Sequence, residues 1–275
     1  MHRPSAISTV TVACAIGLAL AGCGSGPSSP SPAVASPTPT NGASLAPSGT
    51  SPGASPTSGA ASPSSSAASP SFDPANFATT IDNPWYPLAP GTTFTYEGKQ
   101  EDESVVDVFA VTDKTILIEG VTCVIVDDRL SVDGVLAEKT FDYFAQDRDG
   151  NVWYLGEDTH ELDDNGKVTS TEGTWRAGVD GAQPGIFMEA TPTIGHTFAQ
   201  EIYVGHAEDH FEVISLSEAV TVPFGSFQDV LLTHEWTPLE PDVVGGKEYA
   251  KGVGLIKEFT VKGPSEELSL VSIDR

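Results

Sequence analysis

Short runs in which apolar side chains alternate with polar ones follow one another along the last three-quarters of the chain. One such run contains Val105, Val106, Val108, Phe109 and Val111, and in another Phe141, Tyr143 and Ala145 alternate with polar neighbours. Further runs rich in β-branched and aromatic residues are 115–118, 122–126, 152–154, 198–204, 211–216, 220–224, 230–236, 255–261 and 268–273. A period of two residues predicts β-strands.

Turn signals separate these runs. They are Asp133-Gly134, Asp149-Gly150-Asn151, Asn165-Gly166 and Phe224-Gly225-Ser226, all typical of hairpins between antiparallel strands. Helical periodicity is nearly absent, and only residues 73–80 favour a short helical turn. The pattern therefore predicts an all-β, antiparallel, meander-rich fold, which is a barrel, a half-barrel or a sandwich.

A faint internal repeat suggests two similar halves. The pattern Gly-x-Thr-Phe occurs at 91–94 and again at 195–198. Other matches at nearly the same spacing are Phe144-Ala145 with Tyr249-Ala250, Gly120 with Gly225, and Val108 with Val213. Chance identity is the alternative. If the repeat is real, two similar meanders face each other and a cavity between them is expected.

The N-terminus resembles the signal of a bacterial lipoprotein. Residues 7–20 form an apolar core that is too short for a membrane span, and Leu20-Ala21-Gly22-Cys23 follows. This sequence is similar to a lipobox, in which the cysteine receives a diacylglyceryl group and the chain is cut before it. We therefore interpret 1–22 as a signal peptide and Cys23 as the lipidation site. Two or three acyl chains, such as palmitate, would hold the protein at the outer face of the cell membrane. An ordinary cleaved signal is the alternative.

Residues 23–72 consist almost entirely of Ser, Pro, Ala, Gly and Thr, and carry no charged side chain. Such a segment has too little apolar surface to offset the entropy lost on ordering, so it is predicted to be a disordered linker. The Ser/Thr/Pro mixture would also suit O-glycosylation. The folded domain is predicted to cover 73–275.

The chain of 275 residues carries 13 Lys and Arg against 38 Asp and Glu, a formal net charge of −25. So acidic a protein is not expected to bind nucleic acid. The 3 cysteines cannot make a disulfide scaffold. Cys123, the thiol of the domain, lies between Thr122 and Val124 in an apolar run, so we expect a buried core residue rather than a reactive one.

Three stretches, 83–94, 178–185 and 249–255, resemble a family of exported bacterial lipoproteins common in high-G+C Gram-positive bacteria. The resemblance covers essentially the whole domain. It implies an exported, lipid-anchored β-protein, but no particular catalytic or ligand-binding residue. More distantly, a curved sheet after a lipobox is similar to lipoproteins that carry acyl chains. Those carriers wrap the sheet around helices, which this sequence lacks.

The densest group of metal-ligand residues is His206, Glu208 and His210. In a strand these three side chains would lie on one face, and imidazole with carboxylate suits zinc. A solvated acidic turn is the alternative.

A second candidate site is the polar loop 178–185, which follows Trp175. Asp180 and Gln183 are placed to face a ligand from this loop, since loops on a rigid β scaffold often carry binding sites. A plain crossover is the alternative. Likewise, the four tryptophans could line a groove, but core packing explains them as well.

Two acidic segments suggest calcium. Residues 147–151 begin like an EF-hand loop, but the later positions do not match, so a hairpin turn is expected. Five acids and one histidine occupy six of the eight positions 157–164, and a solvated charged loop is the default interpretation of this segment. A loose calcium site is the other.

These observations favour a surface-anchored lipoprotein whose domain binds a small-molecule, cation or cell-wall ligand, without catalysis. No Gly-x-Ser-x-Gly elbow is present in the sequence. No cofactor is expected apart from the calcium or zinc considered above. Two alternatives stay open: an extracytoplasmic hydrolase that uses paired carboxylates, and a structural subunit of the cell envelope.

Overall fold

The computed structural model describes residues 71–275, and this part of the chain is all-β, as predicted. Fifteen strands follow a single 3₁₀ turn, Pro74–Asn76, which falls in the predicted helical segment. The predicted signal peptide, Cys23 and all of the linker before residue 71 lie outside the described residues. Within 71–275 the fold contains no helix with the length and apolar character needed to span a membrane.

The strands are β1 Thr93–Gln100, β2 Glu103–Ile118, β3 Val121–Val132, β4 Val135–Gln146, β5 Val152–Leu162, β6 Val168–Ser170, β7 Trp175–Arg176, β8 Gln183–Met188, β9 Thr197–Ala199, β10 Glu201–Ile202, β11 His210–Val222, β12 Gly225–Trp236, β13 Val244–Ala250, β14 Gly254–Lys262 and β15 Glu266–Asp274.

All strands belong to one antiparallel sheet that nearly closes on itself. Its order is β10-β8-β5-β4-β3-β2-β1-β15-β14-β13-β12-β11-β9, and β6 and β7 pair with β5. The two end strands, β9 and β10, are joined in the chain by the single residue Gln200. The Gln200 amide donates to the Asp209 carbonyl at 2.7 Å. The sheet is therefore barrel-like, with an interior face and an exterior face.

Aromatic side chains fill one part of the interior. The Tyr86 ring lies 4.6 Å from Phe187 and 5.5 Å from Phe144 between ring centroids. Phe144 in turn stacks on Tyr154 at 4.8 Å. Asn83 fixes the segment that carries Tyr86, because its Oδ1 accepts from the backbone N of Trp85 and of Tyr86. The motif at 83–94 thus places the Tyr86 ring among the aromatic side chains of the interior.

The internal repeat is visible in backbone hydrogen bonds. The backbone of each Gly-x-Thr-Phe segment forms two hydrogen bonds with a single valine. In the first half, Gly91 N donates to Val111 O (2.8 Å) and Val111 N donates to Thr92 O (2.8 Å). In the second half, Gly195 N donates to Val213 O (2.8 Å) and Val213 N donates to His196 O (3.0 Å). Strands β1, β2, β3, β4 and β5 therefore correspond to β9, β11, β12, β13 and β14, respectively. The predicted match of Val213 with Val108 is wrong. Val213 corresponds to Val111, because the segments between the two strands differ in length.

The acidic segment 157–164 differs from its default interpretation. Residues 157–162 belong to β5, and Glu157 is buried rather than solvated. The turn at 147–151 is a hairpin, as predicted: Asp147 Oδ1 accepts from the backbone N of Asp149 and of Asn151. Cys123 is fully buried, and burial raises the pKa of its thiol to about 12, which confirms an inert core residue.

Candidate functional site

Three neighbouring strands each place a buried carboxyl group on the interior face of the sheet. These are Asp128 on β3, Asp142 on β4 and Glu157 on β5, which we call the carboxylate ladder. Asp142 is paired directly with Glu157, and the cross-strand partner of Asp142 on β3 is Val126, two residues from Asp128. Residues two apart in a strand share a face, so the three carboxyl groups are neighbours.

Tyr154 connects two members of the ladder. Its hydroxyl lies 2.7 Å from Asp142 Oδ1 and 2.9 Å from Glu157 Oε2. Because a hydroxyl carries a single proton, both bonds form fully only when one of the two carboxyl groups is protonated. Asp142 Oδ2 is buried and finds no hydrogen-bond partner within residues 71–275.

Burial and mutual repulsion favour the protonated forms. Burial raises the pKa of Asp142 well above its usual value, and the charge of Asp128 adds to the effect. Burial likewise raises the pKa of Glu157, with Glu201 and Asp142 as the nearest contributing charges. The bonds from Tyr154 work in the opposite direction but do not outweigh burial.

Further carboxyl groups surround the ladder. Burial raises the pKa of Asp107 to about 6, although a hydrogen bond with Asp128 partly counteracts it. Thr140 Oγ1 donates to Glu138 at 3.1 Å, and Trp175 Nε1 donates to Glu201 at 2.9 Å. The interior of the first half is thus strongly acidic.

The second half places a lysine among its buried acids. Lys247 Nζ on β13 lies 2.6 Å from Glu235 Oε2, and Lys247 is the cross-strand partner of Glu258. Burial lowers the pKa of Lys247, but the attraction of Glu235 and Glu258 outweighs burial, so this pKa is raised. The ammonium group stays charged and compensates its neighbours.

A pocket of about 280 Å³ opens beside the ladder. Its lining combines carboxyl groups, aromatic rings and one guanidinium, and we call it the acidic pocket: Glu157, Asp158, Thr174, Trp175, Arg176, Val179, Asp180 and Tyr203. Glu157 belongs to both the pocket and the ladder. Strand β7 positions Trp175 directly opposite Glu157, and the Trp175 ring is fixed by its bond to Glu201.

A second cavity lies deeper in the interior, between Asp107 and Lys247. Its volume is about 20 Å³, which is enough for roughly one water molecule. Tyr96, Phe109 and Tyr249 also line it. A larger molecule does not fit there.

Two of the three residues predicted to contact a ligand line the acidic pocket. Trp175 is buried and forms one wall, and Asp180 lies in the turn before β8 with a backbone φ of 50°. Gln183 begins β8, pairs with Ile202 and is exposed outside the pocket lining. The structure brings Trp175 and Asp180 together with Glu157 and Tyr203, which the sequence did not indicate.

The predicted metal ligands do not share a strand. His206 lies in a turn and its ring stacks on Tyr203 at 4.3 Å, whereas His210 is the first residue of β11. The Gly205 amide donates to Glu208 Oε1 at 2.6 Å. Among the residues that the structure describes, no group of three or more His, Cys, Asp or Glu side chains is arranged to hold a metal ion. The assumed strand geometry at 206–210 is therefore wrong.

The fold is loosely similar to two solved structures. One is a protein inferred to be exported, with a YmcC-like fold, from Bacteroides fragilis NCTC 9343; it is 15% identical, with a TM-score of 0.41, over 70% of this chain and 99% of that one. The other is an inferred lipoprotein from Parabacteroides distasonis ATCC 8503, 11% identical with a TM-score of 0.37, over 70% of this chain and 100% of that one. No protein-family model and no curated protein matches the chain.

Proposed function

We propose that this protein is an extracytoplasmic, lipid-anchored lipoprotein whose β domain binds a small cationic ligand in the acidic pocket. The proposal of the anchor is supported by Leu20-Ala21-Gly22-Cys23 and the uncharged linker after it. The proposal of the ligand is supported by one observation above others: three acidic and two aromatic residues line one pocket of small-molecule size.

The lining of the acidic pocket favours a cation. Asp158, Asp180 and Glu157 outnumber the single guanidinium of Arg176, which lies over the Tyr143 ring with its Cζ 5.6 Å from the ring centroid. The faces of aromatic rings attract cations as well, and Trp175 provides such a ring at the wall. The net charge of −25 concentrates cations near the whole domain and repels anionic ligands.

An apolar ligand inside the sheet is less well supported. The interior is occupied by Tyr86, Phe144 and Phe187, and the cavity beside them holds about one water. The same cavity borders Asp107, whose carboxyl group is paired with Asp128. That pair has the character required for acid–base catalysis, but the cavity has no room for a substrate, so we do not propose a hydrolase.

Binding is tested by isothermal titration of the full chain in detergent with spermidine, and with citrate as the anionic control. We expect saturable binding of spermidine that weakens with added salt, and none of citrate. Asp180→Asn keeps the shape and the backbone preference but removes one charge, and should weaken binding several-fold. Asp133→Asn is the matched control, because Asp133 also has a positive φ, of 48°, but lies in the β3–β4 turn. Absence of spermidine binding, or equal loss in both variants, would contradict the proposal.

The anchor is tested by fractionating cells that express the full chain. Cys23→Ser is expected to move the protein from the membrane fraction to the medium, because the thiol is the acylation site. Cys14→Ser removes a thiol inside the proposed signal and should leave the protein in the membrane fraction. A Cys23→Ser protein that stays with the membrane would show that the lipobox interpretation is wrong.

A further inference from the structure

The two halves of the domain use equivalent interior positions but fill them with different charges. Matching strand pairs relate Asp128 to Glu235, Asp142 to Lys247, and Glu157 to Glu258. The register of β2 with β3 and of β11 with β12 determines the first of these matches. Phe109 is opposite Asp128 in the first half, just as Phe211 is opposite Glu235 in the second.

The second half shows how such a set of carboxyl groups is neutralised. The ammonium group of Lys247 contacts Glu235 and lies on the strand beside Glu258. In the first half the equivalent position is Asp142, a third carboxyl group, whose Oδ2 accepts no hydrogen bond within the described chain. The side chain of Asp142 is completely buried. Burying such an oxygen without a partner is costly.

We propose that the ligand of the acidic pocket is a primary alkylammonium. Its nitrogen compensates the charges of Glu157 and Asp142, as Lys247 Nζ compensates those of Glu235 and Glu258 in the second half. This inference rests on the proposed function and specifies its ligand class. Glu157 lines the pocket and is the cross-strand partner of Asp142, which is fully buried and outside the pocket lining. A primary ammonium has three N–H donors and can bond both carboxyl groups at once.

The rest of the pocket fits the alkyl chain of such a ligand. Val179 is half exposed at the pocket wall, and Trp175 and Tyr203 are the aromatic residues of the lining. A metal ion is the competing cation. The geometry does not favour it, because within residues 71–275 no three ligating side chains are arranged around a common point. An organic ammonium needs hydrogen-bond acceptors rather than a closed coordination shell.

Binding at this position should release protons. Burial raises the pKa of both Glu157 and Asp142, which favours the protonated carboxyl groups in the free protein. An ammonium group beside them favours the ionised carboxylates and drives the protons into solution. An ammonium that binds only at the exposed rim, near Asp158 and Asp180, does not contact these two carboxyl groups.

The experiment titrates the full chain with hexylamine at neutral pH in two buffers of different ionisation enthalpy. Hexan-1-ol serves as the uncharged control, and calcium and zinc as metal controls. We expect hexylamine to bind with release of protons, and hexan-1-ol not to bind. Asp142→Lys places a lysine at the position that is equivalent to Lys247. This substitution should weaken hexylamine binding about tenfold or more. Near-UV circular dichroism checks that this variant is folded, and the proton release of the unaltered chain tests the proposal independently.

The outcomes separate this inference from the function on which it rests. If hexylamine binds without releasing protons and Asp142→Lys does not affect it, the ammonium sits at the rim and the inference is wrong, while cation binding stands. If calcium or zinc binds and hexylamine does not compete, a metal is the ligand and the inference again fails. If neither amines nor metals bind, both proposals fail.

Discussion

Lys247 shows at the scale of one residue how the fold tolerates charge in its interior. Its side chain is 6% exposed and that of Glu235 is 13% exposed, so water hardly screens their contact at 2.6 Å. A buried ion pair gains little over apolar residues of similar size, but a buried charge that has lost its partner is costly. The contribution of Lys247 is therefore to compensate Glu235 and Glu258 rather than to add net stability.

Replacing Lys247 by methionine should thus destabilise the protein strongly. Lys247→Met keeps most of the volume and leaves two partly buried acids, Glu235 and Glu258, without a counter-charge, which costs up to about 3–5 kcal/mol of unfolding free energy. Urea denaturation followed by tryptophan fluorescence measures the change. Lys257→Met on the next strand is the control. Lys257 pairs at 3.1 Å with Glu267, whose side chain is 63% exposed, so its loss should cost less than about 1 kcal/mol.

A double variant sharpens that test. Adding Glu235→Gln to Lys247→Met removes one of the uncompensated charges and should restore part of the lost stability. If Lys247→Met and Lys257→Met had equal effects, Lys247 would not be the internal counter-ion that we describe.

Strand β4 shows at the scale of the element what the sequence could predict and what it could not. Its alternation suggests a face made of Phe141, Tyr143 and Ala145, yet Phe144 is apolar too, so both faces look suitable for the core. The sheet register decides: Glu138, Thr140, Asp142 and Phe144 are the side chains turned to the interior. Acids in a strand normally face water, which is why the carboxylate ladder escaped prediction.

Local signals, by contrast, were reliable. The Asp-Gly and Asn-Gly turns connect neighbouring strands as predicted, because the conformation of a short hairpin loop depends on the residues in it. Trp175 and Asp180 could be proposed because Trp175 precedes a polar loop and Asp180 lies within it. The pairing of β1 with β15 and the junction at Gln200 depend on contacts between residues far apart in the chain. No local pattern encodes them.

The internal repeat of the two halves is hard to recognise from single residues but clear from the pairing of the strands. At the level of single residues, the matches between the halves could have been chance. At the level of strands, five strands in each half pair in the same order, and the paired phenylalanines Phe94–Phe109 and Phe198–Phe211 occupy equivalent places. Comparison of the halves is what makes the exchange of Asp142 for Lys247 meaningful.

For the whole molecule, the buried acids make stability depend on pH in an unusual direction. Burial raises the pKa of Asp107 from 3.8 to about 6, and Glu258, Asp142 and Glu138 add to the shift. Burial also raises the pKa of Glu266 to about 8. Between about pH 4 and these values, the folded protein holds protons that the unfolded chain has released. The unfolding free energy therefore falls as the pH rises through this range.

We accordingly expect the full chain to be more stable at pH 5 than at pH 8. Asp107 alone contributes on the order of 1 kcal/mol to this difference, and the other buried acids add to it. Urea denaturation at the two pH values measures it. Most natural domains with paired carboxylates lose stability on acidification, so an unfolding free energy that stays constant or rises from pH 5 to pH 8 would show that these acids are not held protonated.

Net charge acts in the same direction and has to be separated from burial. At pH 8 the chain repels itself more strongly than at pH 5, which also destabilises the folded state. Asp107→Asn distinguishes the two effects, because it removes a buried titrating group while changing the total charge of −25 by only one. The stability of Asp107→Asn relative to the unaltered protein should increase from pH 5 to pH 8. In Asp133→Asn, where an exposed turn residue is changed, the relative stability should stay constant, so a slope common to both variants would point to net charge alone.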